Sequence, residues 1–106
     1  MGKPIEVSDL TAETIINKHP VFVLDCFATW CGPCKMMNPI INKLAAELKD
    51  KMIFGKLDVD TQPQTSDKYE VKAIPTFLIF QKGKLAARHE GTLSEVALRT
   101  MITKLL

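Results

Sequence analysis

The stretch that decides the fold is Val21-Phe22-Val23-Leu24-Asp25-Cys26-Phe27, followed after two residues by Trp30-Cys31-Gly32-Pro33-Cys34-Lys35. The first part is a continuous apolar run broken only by Asp25, which is typical of a strand buried on both faces at the centre of a sheet. The second part carries a Cys-x-x-Cys motif at the point where a helix is predicted to begin. A strand followed by this motif and a helix is the context that the redox interpretation requires.

The spacing of the two cysteines suits a small disulfide ring. Residues three apart on a helix project from one face, so the sulfur atoms of Cys31 and Cys34 can come within bonding distance. Gly32 relaxes the backbone at the corner, and Pro33 suits a first helical position. Cys31 then lies at the helix N-terminus, where the helix dipole favours a thiolate, the attacking species in disulfide exchange. Cys34 lies one turn further on, placed to attack the sulfur that Cys31 has captured.

Two other uses of this cysteine pair are weaker. Zinc normally takes four ligands, and no second Cys-x-x-Cys or His pair at ligand spacing accompanies the motif. The remaining candidate ligands, Cys26, His19 and His89, are widely scattered along the sequence. A purely structural bridge would close so small a ring that it removes little entropy from the unfolded chain. The redox interpretation is therefore preferred, and no metal is expected.

Length and composition are those of one compact domain, expected over residues 1–106. The chain is 46% hydrophobic and 25% charged, and its net charge of +2 is too weak for a nucleic-acid-binding surface. No apolar stretch is long enough to span a membrane, and the N-terminus lacks the apolar core of a signal peptide. Three cysteines, one pair and a spare, suit a reducing compartment. We expect a cytoplasmic protein, with a processed organellar form as the alternative.

Periodicity along the chain predicts alternating strands and helices. A helical stripe of apolar residues runs from Cys34 to about Lys49, and Pro39 is expected to kink this helix rather than end it. Ser8 and Ser94 are predicted to cap the first and last helices. The other predicted elements are strands at 5–7, 21–27, 52–59, 76–81 and 85–89, a first helix to about residue 18, and a short helix or turn at 62–69. This order predicts an α/β fold with one mixed sheet and helices on both faces.

With these elements in place, the chain resembles the thioredoxin family over its whole length. The shared positions are Asp25, Ala28, the block from Trp30 to Lys35, Pro39, Lys56, Asp60, Ile74-Pro75-Thr76, Gly83 and Gly91. The resemblance implies the thioredoxin fold, a central mixed five-stranded sheet flanked by four helices. It implies a protein-disulfide reductase that works by dithiol–disulfide exchange through Cys31 and Cys34, with no bound cofactor. It also implies a monomer whose partners are a thioredoxin reductase, drawing on NADPH or ferredoxin, and disulfide-containing target proteins.

The resemblance also implies roles for individual residues. Cys31 is the exposed nucleophile and Cys34 the resolving thiol. Asp25 accepts the proton of Cys34 through water, and Lys56 lies near Asp25 and tunes it. Pro75 is expected to follow a cis peptide bond and to face the cysteines, leaving the backbone of Ile74 or its neighbour open to pair with an extended substrate segment. The expected substrate-contact surface consists of Trp30, Gly32, Pro33, Ile74, Pro75 and Gly91.

Several of these residues have a structural alternative that the sequence leaves open. Burial should raise the pKa of Asp25, but local hydrogen bonds or Lys56 could also satisfy its carboxylate. Strand alternation allows Lys56 to face solvent. Trp30 could belong to the core, and the bond between Ile74 and Pro75 could be an ordinary trans bond. Cys26 is expected to be a buried, inert core residue, with a regulatory thiol as the alternative.

Two rival functions compete with the reductase. An oxidase or isomerase would use the same cysteine pair, but the isomerase-like proteins that resemble this motif usually carry His where Pro33 stands, and that variant favours a more oxidising pair. A binding subunit would hold a partner on the same flat apolar face, with its thiols incidental. Cys31→Ser and Cys34→Ser separate these cases, because binding would survive them and disulfide exchange would not.

Overall fold

The elements follow the predicted order. A computed structural model describes residues 2–106. Its strands are β1 (Ile5–Glu6), β2 (Val21–Phe27), β3 (Ile53–Asp58), β4 (Thr76–Gln81) and β5 (Lys84–Glu90), and its helices are α1 (Ala12–Lys18), α2 (Gly32–Glu47), α3 (Pro63–Lys68) and α4 (Glu95–Thr103). They form one five-stranded sheet in the order β1-β3-β2-β4-β5. The β1–β3 and β2–β3 pairs are parallel, whereas β4 is antiparallel to both β2 and β5.

The central position of β2 explains its apolar sequence, because both of its faces are covered. Val21 and Val23 pack with the apolar side chains of α2 and α4 on one face of the sheet. Phe22 and Leu24 alternate onto the other face, where they pack with α1. Asp25 continues the first series and therefore lies on the face that α2 covers. The strand thus carries a carboxyl group into the layer beneath the helix that bears the cysteines.

Helix α2 extends from Gly32 to Glu47, so it begins between the two cysteines, as predicted. Pro33 occupies the first turn, where the missing N–H has no helical partner to lose. The helix continues through Pro39, so this proline does not end it, as predicted. None of the helices within residues 2–106 combines the length and the apolarity needed to cross a membrane.

The prediction that Ser8 caps the first helix is wrong. Helix α1 begins at Ala12 with Thr11 at the N-cap position, and no side chain caps it by a hydrogen bond. Ser8 instead starts a turn, since its carbonyl accepts from the N–H groups of Thr11 and Ala12. The prediction for Ser94 is confirmed, because its hydroxyl oxygen accepts from the N–H of Ala97 at 3.1 Å.

The β4–β5 hairpin is tighter than predicted. Strand β5 begins at Lys84 rather than Leu85, so the connection consists of Lys82 and Gly83 alone. Both residues have positive φ, 52° and 83°. Two successive positive φ angles give the turn whose twist matches the flanking strands, and glycine adopts that conformation without a steric penalty.

Candidate active site

The two cysteines are joined at the N-terminus of α2. A disulfide connects Cys31 and Cys34, whose Cα atoms are 5.3 Å apart. Cys31 is the N-cap residue, with extended backbone angles, and its sulfur accepts a hydrogen bond from the N–H of Cys34 at 3.2 Å. One of the unpaired N–H groups of the first helical turn is therefore directed at the Cys31 sulfur. The same donor would stabilise a thiolate at this position.

Both sulfur-bearing residues are enclosed in the disulfide form. Cys31 is 4% exposed and Cys34 is 3% exposed, so the prediction that Cys31 is exposed is wrong for this state. The cause is a small apolar cluster in which Ala28 and Ile74 pack against the two cysteines. Position rather than exposure distinguishes the cysteines: Cys31 lies at the helix N-cap and Cys34 lies inside the first turn.

Pro75 immediately precedes β4 and follows Ile74, which packs against the two cysteines. The peptide bond between Ile74 and Pro75 is cis, as the family resemblance implied, so the trans alternative is wrong. Ile74 packs in the cysteine cluster, and among residues 2–106 its main chain takes part in no backbone hydrogen bond. The carbonyl of Pro75 accepts from the N–H of Gly91 at 2.7 Å, which ties the end of β5 to the site. Gly91 has a φ of +89°, a conformation that favours glycine, and open space where a side chain would be.

The surface around the disulfide is partly apolar. Trp30 is 70% exposed, so its assignment to the core is wrong, and its indole N–H donates to Oδ2 of Asp60 at 2.8 Å. Gly32 and Pro33 are also exposed. Met36, which was not among the predicted contact residues, is 72% exposed in the second turn of α2. The detectable signal was an apolar residue outside the buried stripe of this helix.

Asp25 is a buried carboxyl group without a polar partner. It is 1% exposed, and within residues 2–106 neither of its oxygens has a hydrogen-bond partner. The interpretation that local hydrogen bonds satisfy it is therefore wrong. Asp25 stands opposite Lys56 on β3 and opposite Phe77 on β4. Burial raises the pKa of Asp25 to about 7, and the positive charge of Lys56 acts against this rise.

Lys56 is half-buried rather than directed freely into solvent. Its ammonium group donates to Oδ1 of Asn38 at 2.6 Å and lies 4.7 Å from the centroid of the Phe27 ring. These contacts place Lys56 beside a cavity of about 180 Å³ behind Cys34. The cavity is lined by Phe27, Ala28, Thr29, Cys34, Lys35, Asn38 and Lys56. Asn38 was missed by the sequence analysis, although it lies four residues after Cys34 and hence on the same helix face.

Cys26 is separate from this chemistry. It is completely buried and unpaired by a disulfide. Burial, with the neighbouring Asp25 carboxyl group, raises the pKa of its thiol to about 12, against a smaller opposing effect of Arg88. A thiol that stays protonated and out of contact with solvent is a poor nucleophile, so Cys26 has the properties of an inert core residue.

Comparison with known proteins assigns this arrangement to a family. The thioredoxin family model matches residues 4–104. A thioredoxin from Buchnera aphidicola is 34% identical over 103 residues, covering 96% of this chain and 95% of that protein. Thioredoxin 2 of Chlorobaculum tepidum is 39% identical over 106 residues, covering 99% of this chain and 94% of that protein. The chain belongs to the thioredoxin family. Members of this family are protein-disulfide oxidoreductases, and Cys31 and Cys34 are the redox-active pair of this one.

Solved structures support the same assignment. A mutant thioredoxin from Halobacterium salinarum superposes with a TM-score of 0.92 at 28% identity, covering 98% of this chain and 91% of that one. The predicted thioredoxin fold is therefore confirmed. Some relatives are considerably longer than this chain. The chain spans 57% of a chloroplastic M-type thioredoxin from Brassica napus and 21% of a bifunctional thioredoxin reductase/thioredoxin from Mycobacterium leprae, at 44% and 40% identity.

Proposed function

We propose that this chain is a protein-disulfide reductase in which Cys31 attacks a target disulfide and Cys34 resolves the resulting intermediate. The observation that carries the proposal is the position of the Cys31 sulfur at the N-cap of α2, where it accepts the N–H of Cys34. A sulfur at the positive end of a helix ionises more readily than a free thiol, and the thiolate is the nucleophile in disulfide exchange. In the reduced protein this makes Cys31 the attacking residue.

The first step forms a mixed disulfide. The Cys31 thiolate attacks one sulfur of the target disulfide, a bond forms between Cys31 and that sulfur, and the other target sulfur leaves as a thiolate that takes a proton from water. The exposed indole of Trp30, the side chain of Met36 and the free main chain of Ile74 offer the target a surface beside the reacting sulfur. Main-chain pairing with Ile74 would align an extended segment of any sequence, which suits a reductase with many targets.

The second step releases the target. Asp25 takes the proton of the Cys34 thiol, through water, and the Cys34 thiolate attacks the sulfur of Cys31. The bond between Cys31 and Cys34 forms, the bond between Cys31 and the target breaks, and the target leaves as a second thiolate, which is protonated by solvent. The target has gained two electrons and this chain has lost two. A carboxyl group whose pKa is about 7 is suited to this transfer near neutral pH.

Lys56 has a tuning role in this proposal. Lys56 lies on β3, directly opposite Asp25 on β2. The positive charge of its ammonium group favours the ionised form of the Asp25 carboxyl group. Without Lys56, burial alone would keep Asp25 protonated to higher pH, and fewer molecules would carry a proton acceptor at neutral pH. The pairing of a buried carboxyl group with a partly buried lysine therefore keeps the acceptor usable.

The partners and the location follow from the same chemistry. The oxidised Cys31–Cys34 pair must be reduced again, and we propose a thioredoxin reductase, drawing on NADPH or ferredoxin, as the donor of the two electrons. The Mycobacterium leprae relative, named as a bifunctional thioredoxin reductase/thioredoxin, supports this partner. Disulfide-containing proteins are the proposed targets. We also propose that the chain works as a monomer, without a bound cofactor, in the cytoplasm or in a reducing organelle.

The deciding measurement is the equilibrium reduction potential of the Cys31–Cys34 pair. The protein is equilibrated with defined thiol buffers while the fluorescence of Trp30, which adjoins the pair, reports the fraction oxidised. A potential below about −250 mV is expected of a reductant. A value near those of oxidising folding catalysts, above about −180 mV, would contradict the reductase and favour an oxidase or isomerase.

Trapping the intermediate tests the two cysteine roles. Cys34→Ser should accumulate a stable mixed disulfide with a target protein, because the resolving thiol is missing. Cys31→Ser should form far less of it, because Cys34 lies inside the first helical turn and lacks the N-cap position. Cys26→Ser is the matched control and should retain full activity. Equal trapping by the two single variants would contradict the assignment of Cys31 as nucleophile, and target binding that survives loss of both cysteines would favour a binding subunit.

A further inference from the structure

Lys56 reaches its position near Asp25 by two contacts outside its own strand. The ammonium group donates to the Asn38 side-chain oxygen at 2.6 Å and lies 4.7 Å from the Phe27 ring centroid. A lysine has a flexible stem and a strongly hydrated head, so a half-buried lysine with no partner turns its charge towards solvent. The contact with Phe27 is weak at a partly exposed site, whereas the hydrogen bond to Asn38 fixes a direction.

Asn38 connects this lysine to the helix that bears the cysteines. It lies four residues after Cys34, one turn along α2, and both residues line the cavity of about 180 Å³ behind the disulfide. Lys56 closes the other side of this cavity from β3. The single hydrogen bond between Asn38 and Lys56 therefore joins the resolving helix to the strand that lies beside Asp25.

We propose that Asn38 is a positioning residue for the resolving step: its side-chain oxygen holds the Lys56 ammonium at the cavity behind Cys34 and so fixes the distance between that charge and the Asp25 carboxyl group. The inference rests on the proposed function of Asp25 as the proton acceptor. In this proposal Asn38 has no direct role toward the target or the reacting sulfur. It acts through Lys56, and it makes the protonation of Asp25 depend on a residue of α2.

Other groups around Asp25 do not substitute for Lys56. The neighbouring β4 strand presents the apolar side chain of Phe77 directly opposite Asp25. The remaining titratable or charged groups on the surrounding elements are Cys26 on β2, Asp58 on β3, Lys84, Arg88, His89 and Glu90 on β5, and Cys34, Lys35, Lys43 and Glu47 on α2, with Cys31 at the N-cap of that helix. Of the charged groups, Lys56 is the one whose charge acts on the pKa of Asp25. Loss of its fixed position should therefore be visible in the titration of Asp25.

The test is a double-mutant cycle on the oxidised protein, in which Cys31 and Cys34 do not titrate. The carboxyl carbon of Asp25 is followed by NMR from about pH 4 to pH 10 in the wild type, Asn38→Ala, Lys56→Ala and the double variant. We expect Asn38→Ala to raise the midpoint by about half a pH unit and Lys56→Ala to raise it by about one. The double variant should match Lys56→Ala alone, because Asn38 acts only through Lys56. Additive shifts, or an unchanged midpoint in Asn38→Ala, would overturn the proposal.

A kinetic measurement separates this inference from the proposed function. An aromatic disulfide that releases a coloured thiolate reacts with the reduced protein in two phases, attack by Cys31 and resolution by Cys34. In Asn38→Ala the pH midpoint of the second phase should rise by the same half unit, a loss of about threefold in rate below the midpoint. Asn17→Ala, which removes the same side chain from α1 on the opposite face of the sheet, should change neither phase. If the second phase of Asp25→Asn is as fast as that of the wild type, Asp25 is not the proton acceptor. The NMR cycle would still decide whether Asn38 positions Lys56.

Discussion

Asp25 is the residue whose position conflicts most with its chemistry. A carboxyl group that is 1% exposed, with no hydrogen-bond partner within residues 2–106, is stable in its neutral form and destabilised in its charged form. A residue selected for stability alone would be apolar here, since both neighbouring strands are apolar or half-buried at this level. Asp25 instead stands on the face of the sheet that the cysteine-bearing helix covers, and a raised pKa is typical of a group used in catalysis.

The cost of Asp25 to stability should depend on pH. Its pKa is raised from 3.8 to about 7 on folding, so between these values the folded state holds a proton that the unfolded state has lost. The free energy of unfolding therefore falls as pH rises from about 4 to about 7 and levels off above, by about 4 kcal/mol in the limit. Asp25→Asn cannot ionise and should lack this fall. Urea unfolding of both oxidised proteins at about pH 4, 6 and 8 checks it, and parallel pH profiles would contradict the burial argument.

At the scale of elements, the starts of α1 and α4 differ in whether a serine side chain caps the helix. Ser94 begins α4 with its hydroxyl accepting the N–H of Ala97. Ser8 has the same side chain and precedes a helix, but its hydroxyl contacts the Thr11 hydroxyl at 3.2 Å and caps no helical N–H. Identical residues before two helices thus have different roles, because the chain inserts a turn before α1.

These two serines provide a matched pair of variants. Ser94→Ala removes an N-cap and should lower the free energy of unfolding by about 1 kcal/mol. Ser8→Ala removes only an exposed contact between hydroxyl groups and should cost less than about half of that. Urea unfolding of the two variants under one buffer measures the difference. Equal losses would mean that the Ser94 hydroxyl does not act as a cap in solution.

The same comparison shows what sequence patterns can and cannot determine about elements. The apolar run of β2 and the stripe of α2 were sufficient to predict both, because burial on a face follows directly from periodicity. The start of α1 was predicted wrongly because a serine before an apolar stripe does not reveal an intervening turn. The contact between Asn38 and Lys56 was not predictable from either element, since a hydrogen bond across 18 residues depends on the packing of α2 over β3. Cys31, Cys34 and Pro75 were found because their spacing is specific to one family.

At the scale of the whole molecule, the sheet separates two apolar cores and one of them supports the site. Helices α2 and α4 pack side by side on the same face, and the core beneath them contains Met37, Ile41 and Leu98. Helix α2 must stay in a fixed position because it carries Cys31, Cys34 and Asn38. Helix α4 can therefore contribute to the site by packing against α2, although none of its own residues lies in the site.

Arg99 makes a polar connection between these two helices, and its removal should affect stability but not chemistry. Its guanidinium group donates twice to the Glu47 carboxylate on α2 and once to Glu95 on α4, each at 2.9 Å. Arg99→Ala should lower the free energy of unfolding at low salt and lower it less at about 0.5 M salt, because partly exposed ion pairs are screened. Lys43→Ala, which removes a single contact from a lysine whose side chain is 60% exposed, is the control and should cost less. The resolving phase should be unchanged in both variants, since both positions lie outside the cavity behind Cys34. A slower resolving phase in Arg99→Ala would mean that α4 controls the position of the cysteine-bearing helix.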